Sequence, residues 1–124
     1  MGIMAGTGLV EALSMAMVRL ATPETFELWT VLSAGIVNVF VPSGGGQWAV
    51  QGPLLIRAAL DLGVPLDRTI LAMAYGDELT NMLQPFWALP LLGITGLAAK
   101  DILPYTVRFM TVGLAACLFL TAIT

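Results

Sequence analysis

Residues 28–56 carry no charge, yet the middle of that run, Val41 to Pro53, reads VPSGGGQWAVQGP. A straight helix over the whole run would be about 43 Å long, well beyond the roughly 30 Å of a bilayer's hydrocarbon core. Pro42 and Gly44-Gly45-Gly46 break it near its centre. Two arms remain, each about 22 Å long at about fifteen residues. That is too short to cross comfortably and long enough to enter and return. The spacing predicts a re-entrant hairpin over 25–62 with its tip at 42–46. The competing arrangement is an ordinary loop outside the membrane that joins two short spanning helices. Glu24, Glu27, Arg57 and Asp61 lie at the far ends of both arms, where water should be, and they favour the hairpin.

A bilayer is the expected solvent for this chain. The AVILMFWYC set supplies 58% of residues and charged side chains 10%, against about 25% charged in typical globular chains. A small soluble domain buries only about two-thirds of its surface and could not hide so much apolar side chain. The net charge of −3 contains no basic cluster, which argues against a nucleic-acid partner. Histidine is absent and cysteine occurs once, at Cys117. The commonest proton shuttle, a Cys/His zinc site and an internal disulfide are therefore excluded, and Cys117 reads as lipid-facing or packed. The N-terminus lacks the basic region of a signal peptide. Met1 opens directly on an apolar segment, so the chain is expected to be a piece of something longer.

The rest of the chain divides by its charges and breakers into a first helix (1–22), the hairpin (23–64), a broken helix (65–99) and a last helix (102–124). The first segment carries Glu11 near its middle and Arg19 at its end. A helix is expected from Leu66, with Asp67 favoured at its N-terminus, running to about Tyr75. A second interruption follows, GDELTNMLQPFWALP, Gly76 to Pro90. Eleven helical residues rise about 16 Å, which puts this polar stretch near mid-depth. Helix is expected again from Pro85 to about Ala98, and over roughly Leu103–Ile123. The fold class is an all-α membrane protein: a re-entrant helical hairpin plus a broken transmembrane helix flanked by transmembrane helices, one transporter repeat. Arg19, Arg57 and Arg68 against Lys100 and Arg108 favour a cytoplasmic hairpin mouth.

Secondary transporters place substrate and coupling ions at the ends of discontinuous helices near mid-membrane. Helix N-termini present free N–H groups that suit a carboxylate. Unwound carbonyls and the oxygens of Asn, Ser, Thr and Gln suit Na⁺, and glycine lets a ligand approach the backbone. Candidate ligand-binding residues are Ser43, Gly44, Gly45, Gly46, Gln47 and Gln51 at the tip, with Thr80, Asn81 and Gln84 at the second break. Asp77 and Glu78 suit a cation or a proton if buried, or water if the helix starts shallower; intramembrane acids are functional by default. Trp48 and Trp87 wall a pocket or anchor at the interface. Asn38 bonds a neighbouring helix or the ligand. No metal is indicated beyond Na⁺ near Asp77 and Asn81, and no cofactor beyond coupling Na⁺ or H⁺. Neither break contains Lys or Arg, which favours a small monovalent anion over a di- or tricarboxylate.

NVFVPSGGGQWAVQGP (38–53) followed by GDELTNMLQPFWALPLLGITGL (76–97) closely resembles the short-chain fatty acid transporter family. The match covers essentially the chain from about residue 28 onward and is similar to the C-terminal portion of that family. The chain also looks like the wider superfamily of ion and carboxylate transporters with two inverted repeats. The resemblance implies uptake of short monocarboxylates, such as acetoacetate or butyrate, across a bacterial inner membrane by a multi-pass symporter. It implies Ser43–Gln47 as the hairpin tip and Gly76–Pro85 as the unwound stretch opposite. The first repeat, or a second copy of this chain, is then the partner that completes the site. The alternatives are a non-transporting assembly subunit and an anion channel module. An enzyme is not indicated: no nucleophile stands beside a base.

Overall fold

The computed structural model describes residues 6–123, and among these every regular element is helical. Helix α1 spans Leu9–Val18, α2 Phe26–Phe40, α3 Gly44–Leu62 and α4 Leu66–Asn81. A 3₁₀ turn over Pro85–Ala88 leads to α5 (Leu89–Thr95), and α6 spans Ala99–Ile123.

Each end has a local cause. Pro42 bars Val41 from helical backbone, and Val41 sits at φ −125°, ψ 75° as α2 stops. Ser43 is extended and its hydroxyl accepts a bond from Gly46 N at 3.4 Å, so it caps α3. The three glycines are thus the first turn of α3, and the non-helical tip is 41–43, narrower than the expected 42–46. Gly63, at φ +71°, ends α3 in the left-handed region that glycine tolerates. Pro85 ends α4 in the same way as Pro42 ends α2: Gln84 before it is extended, at φ −109°, ψ 112°.

Contacts along α2 and α4 advance in step, from Glu27 with Arg68 to Asn38 with Asp77, so the two helices run parallel. They cross at glycines. A Cβ on Gly76 would lie 2.3 Å from Val31 O and 2.9 Å from Gly35 N, and one on Gly35 would lie 3.1 Å from Thr80 Cγ2. Apolar burial drives helix association weakly in lipid, where close backbone approach and interhelical hydrogen bonds carry it instead. This crossing corrects one expectation. Gly76 does not open an interruption; α4 runs through it to Asn81, because the glycine there provides room for α2. The break lies at 82–84, ahead of the 3₁₀ turn, rather than over the whole of Gly76–Pro90. Helix then ends at Thr95, short of Ala98, and α6 starts at Ala99 rather than Leu103.

The hairpin arms α2 and α3 are antiparallel. Phe26 near the start of α2 joins Leu55 and Ala59 of α3 in one buried cluster, with Val64 and Met73 beyond, and Val18 and Ala21 pack on it from the α1 side. Helix α6 lies against the other side of α4, where a Cβ on Gly113 would meet Leu79 Cδ2 at 2.6 Å. Among the described residues α6 alone is long and apolar enough to cross a membrane, with a mean hydropathy of 1.6 over Ala99–Thr121.

Candidate functional site

The parallel α2–α4 pair carries both of its C-terminal ends to one end of the molecule. The hairpin tip and the break after α4 therefore meet. A Cβ on Gly44 would lie 3.0 Å from Asp77 Oδ2, so the tip rests on the Asp77 carboxylate with no room for a side chain. Pro42 from the tip, Glu78 and Asn81 from α4, Met82 and Gln84 from the break, and Phe86 and Trp87 from the 3₁₀ turn line a cavity of about 390 Å³.

Asn38, in the last turn of α2, ties the two breaks together. Its amide nitrogen lies 2.8 Å from Asp77 O, 2.9 Å from Thr80 Oγ1 and 3.0 Å from Asn81 Oδ1. Thr80 can accept because its own proton goes to Gly76 O at 2.8 Å. The Asn38 carbonyl in turn accepts from Gln84 Nε2 at 2.9 Å. Trp87 Nε1 donates to Asn81 O at 3.2 Å, which folds the 3₁₀ turn back over the end of α4.

The sequence-level candidates separate into three sets. Asn81 and Gln84 reach the cavity wall. Ser43, Gly44, Gly45, Gly46 and Asp77 are chain neighbours of Pro42 and Glu78 in the lining but do not themselves line the cavity; the N–H groups of Gly44 and Gly45 begin α3 and have no acceptor within their helix, and a Cβ on Gly45 would meet open space. Gln47 and Gln51 point elsewhere. They are fully buried between the hairpin arms, where Gln47 Nε2 donates to Ala34 O and to Gln51 Oε1, each at 2.9 Å. Gln51 Nε2 passes the chain on to Ser33 Oγ at 3.1 Å, and Ser33 donates to Thr30 O. Thr80 is engaged in the Asn38 network. Trp48 lies along Gly52, where a Cβ would be 2.8 Å from the indole ring, and does not line the cavity.

Pro42, Met82 and Phe86 line the cavity without having been singled out as ligands. Prolines 42 and 85 mark where the chain must leave helix, and residues beside such a break are the ones free to wall a space. Among the described residues Glu78 is the only charged one in the lining, and no Lys or Arg joins it. A polar donor remains in the lining, the Asn81 amide nitrogen, which has no hydrogen-bond partner among the described residues, and the N–H groups of Gly44 and Gly45 follow Pro42 in the chain.

Comparison with known proteins identifies a family and two relatives. The family profile described as "Short chain fatty acid transporter" matches residues 1–123. A protein of Escherichia coli strain K12 named "Putative short-chain fatty acid transporter" is 43% identical over 105 residues, covering 85% of this chain and 24% of its own length. A protein of the same name from Haemophilus influenzae is 44% identical over 103 residues, covering 83% and 23%. The chain thus spans about a quarter of the length of these relatives. No solved structure shows a significant match.

Proposed function

The chain belongs to the short-chain fatty acid transporter family, and from that premise we propose that it supplies half the binding site of a secondary transporter for small monocarboxylates such as acetoacetate or butyrate. The observation that carries this is the meeting of two helix breaks, tip 41–43 and residues 82–84, over one cavity walled by Asn81, Gln84, Phe86 and Trp87. The apolar rings suit a short alkyl chain. The Asn81 amide and the first N–H groups of α3 suit its carboxylate. A polyanion would find no Lys or Arg to offset its second charge.

Asp77 and Glu78 stand at the same place, so an entering carboxylate meets like charge. A co-transported Na⁺ or H⁺ removes that penalty, which makes the transporter a symporter. Phe86 and Trp87 are 68% and 57% exposed, and the N-terminal half of the transporter, or a second copy of this chain, covers them. The hairpin arms, 15 and 19 residues long, enter and return while α6 spans, in a multi-pass protein of the bacterial inner membrane. The role is transport rather than catalysis.

Uptake of labelled acetoacetate and butyrate into vesicles containing the full-length transporter, with this chain as its C-terminal portion, tests this. Saturable uptake, competed by unlabelled butyrate and not by succinate, is expected. Uptake no greater than in empty vesicles, with folded protein present, overturns it. Flux that follows voltage and ignores Na⁺ and pH gradients identifies an anion channel instead.

A further inference from the structure

Helix α1 ends at Val18 and α2 begins at Phe26, so α1 reaches the end of the molecule at which the hairpin opens. Helix α3, antiparallel to α2, ends there too. Between α1 and α3 at this end lies a cavity of about 200 Å³. It shares no lining residue with the cavity beside the hairpin tip. Leu54, Arg57, Ala58 and Asp61 line it at helical spacing on one face of α3, and Met15, Val18 and Arg19 line it from the end of α1.

The charges in this lining are unbalanced: two guanidiniums stand against one carboxylate. Arg57 Nε lies 3.4 Å from each oxygen of Asp61, with the two side chains 80% and 65% exposed. An ion pair so exposed is weak, and it occupies one of the five N–H groups of a guanidinium. Among the described residues no carboxylate pairs with Arg19. Arg19 follows Val18 and Asp61 follows Ala58, so the charged groups gather toward the hairpin mouth and the apolar ones lie deeper. The long arginine stems carry their heads the same way.

The C-terminal ends of α1 and α3 carry partial negative charge and alone would repel an anion. The two arginines reverse that sign, and like charges gathered in one cleft gain when an anion joins them. A pair of guanidiniums suits a phosphate, which each can grip through two parallel N–H groups. The apolar floor suits an alkyl chain, which a free phosphate lacks. Leu20, next to Arg19, and Leu60, one turn beyond Arg57, are 65% and 61% exposed, and Met15 in the cleft itself is 45% exposed. In a membrane protein such a surface meets acyl chains.

We infer that this cleft binds the headgroup of an anionic phospholipid, its phosphate held by Arg19 and Arg57 and the start of one acyl chain lying over Met15, Val18, Leu54 and Ala58. Basic clefts between helices at the membrane surface recognise such headgroups by charge. Three of the chain's five basic residues, Arg19, Arg57 and Arg68, lie at this end, the bias expected of the leaflet richer in anionic lipid. Val18 and Ala21 already pack on the cluster that contains Leu55 and Ala59 of α3. A lipid held by one arginine from each helix clamps α1 to that hairpin arm. The inference needs the membrane of the reading above and not its substrate.

The test uses the full-length transporter, with this chain as its C-terminal portion, in detergent micelles doped with phosphatidylglycerol or with phosphatidylcholine of the same acyl chains. Two quantities are read: the thermal unfolding midpoint and the lipid retained in native mass spectra. A saturable rise in midpoint with phosphatidylglycerol, absent with phosphatidylcholine, is expected, and inorganic phosphate should not reproduce it. Arg19→Gln combined with Arg57→Gln should weaken phosphatidylglycerol binding by about tenfold or more, the order expected for two basic groups at a membrane surface. Lys100→Gln, where α6 begins, should leave it unchanged. Asp61→Asn frees Arg57 and should tighten binding by about two- to fivefold, the size of an exposed ion pair; this variant carries the test if the double variant does not fold. Equal midpoints in the two lipids overturn the proposal. So does a phosphatidylglycerol response that these substitutions leave unchanged, which places the lipid elsewhere. An equal response to inorganic phosphate means an adventitious ion only. A double variant destabilised equally in both lipids assigns the arginines to contacts within the protein and likewise overturns it.

Discussion

Two glutamine-bearing clusters flank the crossing of α2 and α4, and they do opposite things. Gln47 and Gln51 face inward, and their amides form a buried relay from Ala34 to Ser33 away from the cavity. Asn81 and Gln84 face outward onto the cavity, and each gives only part of its hydrogen-bonding capacity to the protein. Both sets sit beside a helix break and look alike in composition. Helical phase separates them: residues 47 and 51 are four apart on the face of α3 that meets α2, whereas residues 81 and 84 straddle the place where α4 ends. Proximity to a break therefore does not make a polar side chain a ligand. Its neighbours at helical spacing decide.

The largest effect should come from the crossing on which both clusters lean. Gly76→Ala sets a Cβ against the Val31 carbonyl and the Gly35 amide, and overpacking of this kind costs about 1–3 kcal/mol or more. Helix-melting curves in detergent should show a loss at or above about 3 kcal/mol, with butyrate binding lost alongside. A variant as stable as the parent would mean that α2 and α4 are not in contact. Next in size is the inward cluster. Gln51→Leu removes the donor to Ser33 Oγ and an acceptor of Gln47, and should destabilise by about 2 kcal/mol. The surviving folded protein should bind butyrate with unchanged affinity. Weakened affinity at unchanged stability would reverse the roles assigned to the two clusters.

How much of this the residues disclose in advance follows from how local each cause is. The tip was legible because Pro42 acts on the residue before it and Ser43 on the turn after it. The lower edge of the second break was legible for the same reason, at Pro85. Its upper edge was not. Gly76 resembles a helix breaker, and its actual purpose, room for Val31 and Gly35, depends on a residue pair some forty positions away that no spacing reveals. The site divides in the same manner. That Asn81 and Gln84 lie beside a break can be seen in the chain, and the structure brings them to the cavity. That Gln47 and Gln51 turn toward Ala34 and Ser33, or that Trp48 lies along Gly52, depends on which face of α3 meets α2. Asn38 is the clearest case. One polar residue in an apolar arm signals a partner, but only the parallel packing of α4 identifies it as the link between both breaks.

The outward cluster should respond less in stability and more in binding. Gln84→Ala removes one bond, to the Asn38 carbonyl, at a cost of about 1 kcal/mol. It also strips a polar group from the cavity wall, and butyrate affinity should fall by about tenfold, equivalent to 1.4 kcal/mol. Equilibrium binding measured beside the melting curve separates the two effects. An affinity loss no greater than that of Gln51→Leu would remove the distinction between the clusters.

The smallest structural effect, and the most discriminating, belongs to Gly45→Ala. An added Cβ meets nothing within 4 Å, and alanine is favoured over glycine in a helix by up to about 1 kcal/mol. The melting midpoint should stay level or rise slightly. The methyl group nonetheless stands beside the unpaired N–H groups that open α3, where a bound carboxylate would need close approach to the backbone. Initial rates of labelled butyrate uptake should therefore fall while the protein remains as stable as before. Unchanged uptake would move the carboxylate away from the start of α3 and leave the Asn81 amide as its principal donor.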